Sequence, residues 1–100
     1  MSLDSLTDAI RRRAGESPSL GYKVKFVLED GATIFWDGAA VPPAISNDDA
    51  AADTTIRMSA DNLEKMMNGA LDPTLAYMTG KLKVEGSLGV AMKLTALLGD

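Results

Sequence analysis

Residues 80–100 read GKLKVEGSLGVAMKLTALLGD, and this stretch decides the fold of the chain. Residues 81–85 alternate charged and apolar side chains, which is typical of a strand with one buried face. Gly86 and Gly89 lie in a short loop, and the residues after it are almost all apolar. Strand, glycine loop and helix is also the order found at phosphate-binding sites, so one hypothesis for this stretch is a nucleotide site.

Neither phosphate-binding motif is complete in this stretch. A Walker loop continues with Ser or Thr after Gly-Lys, but Leu82 follows Gly80-Lys81, and position 75, where the first glycine belongs, is leucine. Gly86-Ser87-Leu88-Gly89 supplies only the last half of Gly-x-Gly-x-x-Gly. It also follows a strand with one polar face rather than a buried parallel strand. The stretch therefore predicts a tight turn and no nucleotide site.

The helix predicted over residues 88–98 has a surplus of apolar surface. Its apolar side chains cover more than half of a helical wheel, and Lys93 is its only charge. We therefore expect this helix to bury more than one side.

Periodicity and turn residues predict the elements that come before it. Leu3, Leu6 and Ile10 recur at helical intervals, with Gly15 as the expected end. The patterns predict strands at residues 22–28, 33–36 and 54–58, with an Asp-Gly hairpin turn at 29–32 and a loop at 39–53.

Capping residues then mark two further helices. Ser59 is a suitable N-cap for one helix that Gly69 ends, and Asp72-Pro73 begins a shorter helix. The predicted order is helix, three strands, two helices, strand, helix. This order favours a single α+β domain over residues 1–100, with a largely antiparallel sheet and helices packed on one face.

Composition excludes several classes of function. Lys and Arg total 10 and Asp and Glu total 14, a net charge of −4 that argues against nucleic-acid binding. The basic run Arg11-Arg12-Arg13 is interpreted as a solvated helix end that complements the helix dipole. No window reaches the ~18 consecutive apolar residues of a membrane span, and the first residues lack the order of a signal peptide. We expect a cytoplasmic location and at most transient membrane contact.

The chain offers little for catalysis. It contains no histidine and no cysteine, which excludes a Ser-His-Asp triad, a thiol nucleophile and imidazole or thiolate metal sites. Asp48, Asp49 and Asp53 lack the spacing of a calcium loop. Paired carboxylates remain formally possible, but no pattern predicts that two of them face each other. We therefore expect no enzyme, no metal and no cofactor.

Residues 54–99 resemble the sterol carrier protein 2 (SCP2) family of small lipid-transfer domains. The resemblance rests on three segments: Asn68-Gly69-Ala70-Leu71-Asp72-Pro73; then residues 76–86, AYMTGKLKVEG; and finally Ala91-Met92-Lys93-Leu94 with Leu97-Leu98. The first half is similar in element order, and residues 31–36 resemble the second strand of the family.

The resemblance implies a five-stranded, largely antiparallel sheet that encloses an apolar tunnel. The tunnel would hold a sterol, fatty acid, acyl-CoA or phospholipid without catalysis. Since the patterns predict four strands, the fifth is expected within residues 39–52 or at a terminus. We expect the tunnel to be lined by apolar residues from strands and helices, five of them methionines that would adapt to varied guests: Phe26, Ile34, Trp36, Met58, Leu63, Met66, Met67, Leu71, Met78, Leu82, Val84, Leu88, Met92, Leu94 and Leu98.

The free-energy cost of an empty cavity limits the volume of the tunnel that can stay unfilled. An empty apolar cavity of ~300 Å³ costs on the order of 7 kcal/mol, comparable to the whole stability of a small domain. We therefore expect a lipid tail, or a shift of the last helix about Gly86 and Gly89, to fill the space. Met92→Asp and Leu94→Asp are each expected to abolish lipid uptake or folding.

Two other classes of function compete with lipid carriage. The apolar last helix could instead dock on a second copy or on a lipid-metabolising enzyme, because exposed apolar patches usually mark such surfaces. An enzyme is the third class, and the absence of histidine and cysteine ranks it last.

Overall fold

The computed structural model describes residues 2–16, 21–40 and 43–98. In these ranges the chain forms five strands and four helices. The elements are α1 (Leu3–Glu16), β1 (Lys23–Val27), β2 (Thr33–Asp37), β3 (Ala44–Ser46), β4 (Thr54–Met58), α2 (Ala60–Met67), α3 (Pro73–Met78), β5 (Leu82–Gly86) and α4 (Leu88–Leu98).

The strands form one mixed sheet in the order β3-β2-β1-β4-β5. Strands β1 and β4 pair in parallel, and the other three pairs are antiparallel. The predicted hairpin is confirmed: Leu28 N–H donates to Ala32 O at 2.8 Å, and Gly31 has a φ of 86°. The fifth strand is β3, which lies within residues 39–52, one of the two locations expected for it.

Local capping rules correctly predicted where α2 and α3 begin. Ser59 Oγ accepts a hydrogen bond from Asn62 N at 3.0 Å, and Asp72 Oδ1 accepts one from Thr74 N at 2.8 Å. The predicted end of α1 is wrong, because the helix continues through Gly15 to Glu16. A glycine inside a helix costs only about 1 kcal/mol, so it weakens a helix without ending it.

The helices cover the face of the sheet to which the inward strand residues point. Val24, Phe26 and Ile56 are fully buried on that face, and they form one cluster with Leu6 and Ile10 of α1. The cluster also includes residues of α2 and α4, so one core joins the sheet to its helical layer. No helix in the described ranges is long and apolar enough to cross a membrane.

The opposite face of the sheet is mostly polar. Lys25 and Arg57 point away from the core, where Lys25 Nζ lies 2.8 Å from Asp49 Oδ1 and Arg57 pairs with Glu85. Asp49 belongs to the connection from β3 to β4, which is therefore held against this outward face.

Candidate functional site

The structure places most of the fifteen predicted tunnel residues inside one apolar cluster. Ten of them are buried: Phe26, Ile34, Trp36, Met58, Leu63, Met66, Met67, Leu82, Leu94 and Leu98. Leu71, Val84 and Met92 are half-buried and pack against the cluster. Met78 and Leu88 lie at the surface, with 73% and 40% of their area exposed. The structure thus brings thirteen of the fifteen together in one cluster. Their contact with a ligand stays a prediction.

Sequence reasoning left out the contribution of α1 to this cluster. Leu6 and Ile10 are fully buried in the core, and Ala9 and Ala14 belong to the same cluster. Their helical spacing was visible in the sequence, but it predicts only a buried helix face and does not show which wall that face covers. Any ligand that enters the core would therefore also meet α1.

Trp36 carries a polar atom into the apolar core. Its side chain is fully buried on β2, and its indole Nε1–H has no hydrogen-bond partner in the described part of the chain. Buried donors of this kind are rare, because an unpaired buried N–H loses its hydrogen bonds to water. Trp36 Nε1 is thus a donor available to a polar group that reaches the core.

Helix α3 presents an exposed apolar surface, which we call the α3 surface and define as Leu75, Tyr77 and Met78. Their exposed fractions are 57%, 42% and 73%. Ala76 is the only residue of α3 that is buried. The helix is held mainly by its Asp72 cap and by contacts with β5 and α4. Segments with few buried contacts open at low free energy, and α3 buries fewer residues than any of the other three helices.

Helix α4 buries five of its eleven residues, which are Val90, Ala91, Leu94, Thr95 and Leu98. Ala91, Leu94 and Leu98 are fully buried along the side that faces the core, whereas Leu88 is exposed and Met92 half-buried. Helix α4 contacts β4, β5 and the three other helices, and Leu88 and Met92 are apolar side chains of α4 that keep part of their surface open to solvent.

The turn into α4 is fixed by backbone geometry and by hydrogen bonds. Gly86 has a φ of 100°, and a Cβ atom there would lie 2.7 Å from Asp53 O. Ser87 N donates to Thr54 Oγ1 at 3.3 Å, and Val90 N donates to Ser87 Oγ at 3.3 Å. Gly89 lies inside α4, where a Cβ atom would meet only ordinary contacts. The two glycines proposed as a hinge therefore have different roles, and only Gly86 shapes the turn.

In the described ranges, no group of three or more acidic side chains is arranged to hold a metal ion. Strand β5 lies at the edge of the sheet and pairs antiparallel with β4. The opening stretch thus lacks the buried parallel strand that precedes a dinucleotide loop.

These features define a class: a small α+β domain in which helices close an apolar core against a mixed five-stranded sheet. The chain belongs to the SCP-2 sterol transfer family, whose model matches residues 11–99. This agrees with the resemblance seen in residues 54–99 and extends it over the first half.

Individual relatives and structures agree with the family assignment. The chain is 40% identical over 101 residues to human hydroxysteroid dehydrogenase-like protein 2, covering 97% of this chain and 23% of that protein. With the mouse protein of the same name it shares 34% identity over 97 residues, covering 95% of this chain and 19% of that one. The chain thus spans about a fifth of the length of these curated relatives.

A solved structure shows the same fold. The solution structure of Aedes aegypti sterol carrier protein 2 in complex with the C16 fatty acid palmitate superimposes with a TM-score of 0.78. Its sequence is 23% identical, and the match covers 98% of this chain and 96% of that one.

Proposed function

We propose that this chain binds and carries a hydrophobic ligand, without acting on it chemically, inside the core between the sheet and helices α3 and α4. The ligand would be a sterol, fatty acid, acyl-CoA or phospholipid. The observation that carries the proposal is the continuity of the core: its buried residues border the α3 surface and the half-buried Met92 of α4. The palmitate complex of the Aedes aegypti protein, which has the same fold, supports a fatty-acyl chain as one such ligand.

Entry of the ligand would require α3 to move away from α4. Since Ala76 is the only buried residue of α3, displacing this helix uncovers little core, whereas displacing α4 uncovers Leu94 and Leu98. The tail would then take the place of contacts that Met66, Met67 and Met92 make in the closed core, because unbranched methionine side chains adapt to different shapes. Met78 and Leu75 would become buried against the ligand, which explains their exposure without one.

The polar end of a ligand has a possible partner in Trp36. An acceptor atom such as a sterol hydroxyl or a carboxylate would satisfy the indole N–H that is unpaired in the described structure. Trp36→Phe removes this donor and keeps an aromatic ring. It should weaken binding of a fatty acid while leaving binding of the corresponding hydrocarbon unchanged.

The experiment that tests the carrier function is native mass spectrometry of protein purified from cells, followed by extraction and identification of any bound lipid. The proposal predicts a lipid in the folded monomer. It also predicts that added fatty acid changes the emission of Trp36, the only tryptophan. A folded protein that carries no lipid and leaves the emission unchanged up to saturating fatty acid would contradict the proposal.

A second candidate function is protein interaction. The α3 surface and Leu88 are exposed and apolar, and exposed apolar patches often mark docking sites. The occupant would be a second copy or a lipid-metabolising enzyme, since the matched relatives named hydroxysteroid dehydrogenase-like are about five times longer than the match. A ligand-free dimer that excludes a fluorescent fatty acid, and that Leu75→Ser/Met78→Ser dissociates, would favour this candidate. We propose that the protein acts in the cytoplasm in either case.

A further inference from the structure

A cleft on the outside of the core lies where β4 ends and α2 begins. Its volume is about 440 Å³, and its wall includes Arg57, Lys81 and Lys83 on one side and Ser59 of the α2 N-terminus on the other. Met58 also lines the cleft and belongs to the buried core cluster. The cleft therefore adjoins the proposed lipid site at one shared residue.

Sheet register concentrates positive charge in this cleft. Arg57 and Lys83 are directly opposite each other in the antiparallel β4–β5 pair, and Lys81 is two residues before Lys83. Like charges placed opposite each other on neighbouring strands destabilise a sheet. Arg57 is paired with Glu85, but neither Lys81 nor Lys83 has an ion pair with any acidic residue in the described part of the chain. Because the chain as a whole has a net charge of −4, this local excess of positive charge indicates an anion-binding site.

The opposite side of the cleft adds neutral hydrogen-bonding groups. Strands β1 and β4 run parallel and end at this edge, and the eight-residue helix α2 starts there. Ser59 Oγ accepts the hydrogen bond of Asn62 N at 3.0 Å, which leaves the serine hydroxyl proton and the Asn62 side-chain amide to donate elsewhere. Glu29 is the one acidic residue of the wall, and Glu85 beside it pairs with Arg57. The three cations therefore have two carboxylates near them, which leaves an excess of positive charge.

We propose that this cleft binds the phosphate-bearing head group of the hydrophobic ligand, with the tail passing Met58 into the core. A ligand without a phosphate would instead place its polar end at Trp36. The inference rests on the proposed carrier function for the tail, and it adds a chemical class for the head. Lys81 and Lys83 supply charge to the phosphate oxygens, and Arg57 exchanges part of its pairing with Glu85 for them. The ligand is thus a phosphorylated lipid such as a phospholipid or an acyl-CoA, rather than a neutral sterol or acylglycerol.

The test compares two lipids that share one acyl chain: lysophosphatidic acid, which carries a phosphate, and monoacylglycerol, which does not. The wild-type protein should bind lysophosphatidic acid about 10-fold more tightly, because charge-assisted hydrogen bonds favour the phosphate. Lys81→Gln/Lys83→Gln should remove this preference and leave monoacylglycerol binding unchanged. The matched control is Lys23→Gln/Lys93→Gln, which removes the same charge from exposed positions outside the cleft and should keep the preference.

Each outcome decides one of the two proposals. Equal affinity of the wild type for both lipids, or a preference that survives Lys81→Gln/Lys83→Gln, overturns the head-group site while the carrier function stands. If neither lipid binds, the carrier function fails for acyl lipids, and titration with inorganic pyrophosphate shows whether the cleft binds an anion by itself. NMR shifts of the Asn62 side-chain amide that disappear in the double variant would then assign the cleft to a free phosphate ligand. Absence of these shifts would overturn the cleft as an anion site.

Glu29→Gln provides a test in the opposite direction. It removes the only negative charge of the wall, so it should tighten binding of lysophosphatidic acid several-fold and leave monoacylglycerol unaffected. An equal effect on both lipids would contradict an electrostatic role for the cleft.

Discussion

The two walls of the core differ in how completely they are buried. On the sheet side, Phe26, Ile34 and Ile56 are 0% exposed, whereas on the helical side Met78 is 73% exposed and Leu88 is 40% exposed. An inward side chain on a central strand has neighbours on both sides in the sheet and a helix above it, so alternation in the sequence is enough to bury it. Helix α3 buries only Ala76, so the apolar side chains on its outer side stay open to solvent. The sheet wall therefore provides stability, and the α3–α4 wall provides a surface that a ligand or partner can cover.

The largest expected effect comes from placing a charge in the closed part of this core. Leu94→Asp puts a carboxylate at a fully buried position without a partner, which should destabilise the protein by more than about 4 kcal/mol. Because small domains have total stabilities of about 5–15 kcal/mol, most of the protein should be unfolded or close to it. Circular dichroism with urea unfolding measures the loss.

Met92→Asp and Met78→Asp are the matched changes on the open wall. Met92 is half-buried, so the carboxylate of an aspartate at this position can reach water, and a loss of stability of about 1–2 kcal/mol is expected. For Met78→Asp the change should stay within about 0.5 kcal/mol. Both variants should fold and lose lipid binding. Equal losses of stability for Leu94→Asp and Met78→Asp would show that the buried and the exposed positions of the α3–α4 wall do not differ as described.

Gly86 tests the turn that joins the two walls. Gly86→Ala forces a Cβ atom to within 2.7 Å of Asp53 O at a φ of 100°, and it should cost about 1–3 kcal/mol. Gly89→Ala is the control, because that residue lies in α4 with space for a methyl group, and it should stabilise the protein by up to about 1 kcal/mol. Thermal unfolding of the two variants measures both changes. A stabilised Gly86→Ala variant would disprove the fixed turn.

Features that depend on residues close together in the sequence were predicted well, and features that depend on distant residues were not. Caps at Ser59 and Asp72 act over three residues or fewer, and both predictions were confirmed. Strand β3 has three residues and only Ile45 is buried, so no alternation marks it. Only the family resemblance implied a fifth strand, and it left both this segment and a terminus open.

Burial was not predictable where it depends on a neighbour that is distant in the sequence. Met78 and Leu88 are as apolar as the buried residues, but nothing in their own segments shows that no element covers them. The basic cleft was not predicted for the same reason. Arg57 and Lys83 become neighbours only through the register of β4 and β5, which no local pattern specifies.

A smaller effect is expected at the α3 surface, and it concerns affinity rather than folding. Met78→Ser should weaken fatty-acid binding about 10-fold, since burying a methionine side chain is worth about 1.5–3 kcal/mol and this one is already partly covered. Stability should hardly change, because the side chain makes few contacts in the closed form. Tyr22→Ser is the control at an exposed residue outside α3, and it should leave affinity unchanged. Unaltered affinity in Met78→Ser would exclude the α3 surface from the binding site.

The smallest expected effect lies on the outward face of the sheet, far from the core. The hydrogen bond and charge of Lys25 hold the pKa of Asp49 below its ordinary value of 3.8. Because this pKa is depressed in the folded state, the interaction stabilises the protein above the unfolded pKa and is lost as the pH falls through the lower folded pKa. Wild type should therefore exceed Asp49→Asn in stability at about pH 6, and the difference should vanish in strong acid. Urea midpoints at the two pH values measure it, with Asp48→Asn as the control for removing a neighbouring negative charge. Asp49 is fully exposed, so added salt should shrink the difference at about pH 6, and a difference that is insensitive to both salt and pH would rule out the ion pair as its cause.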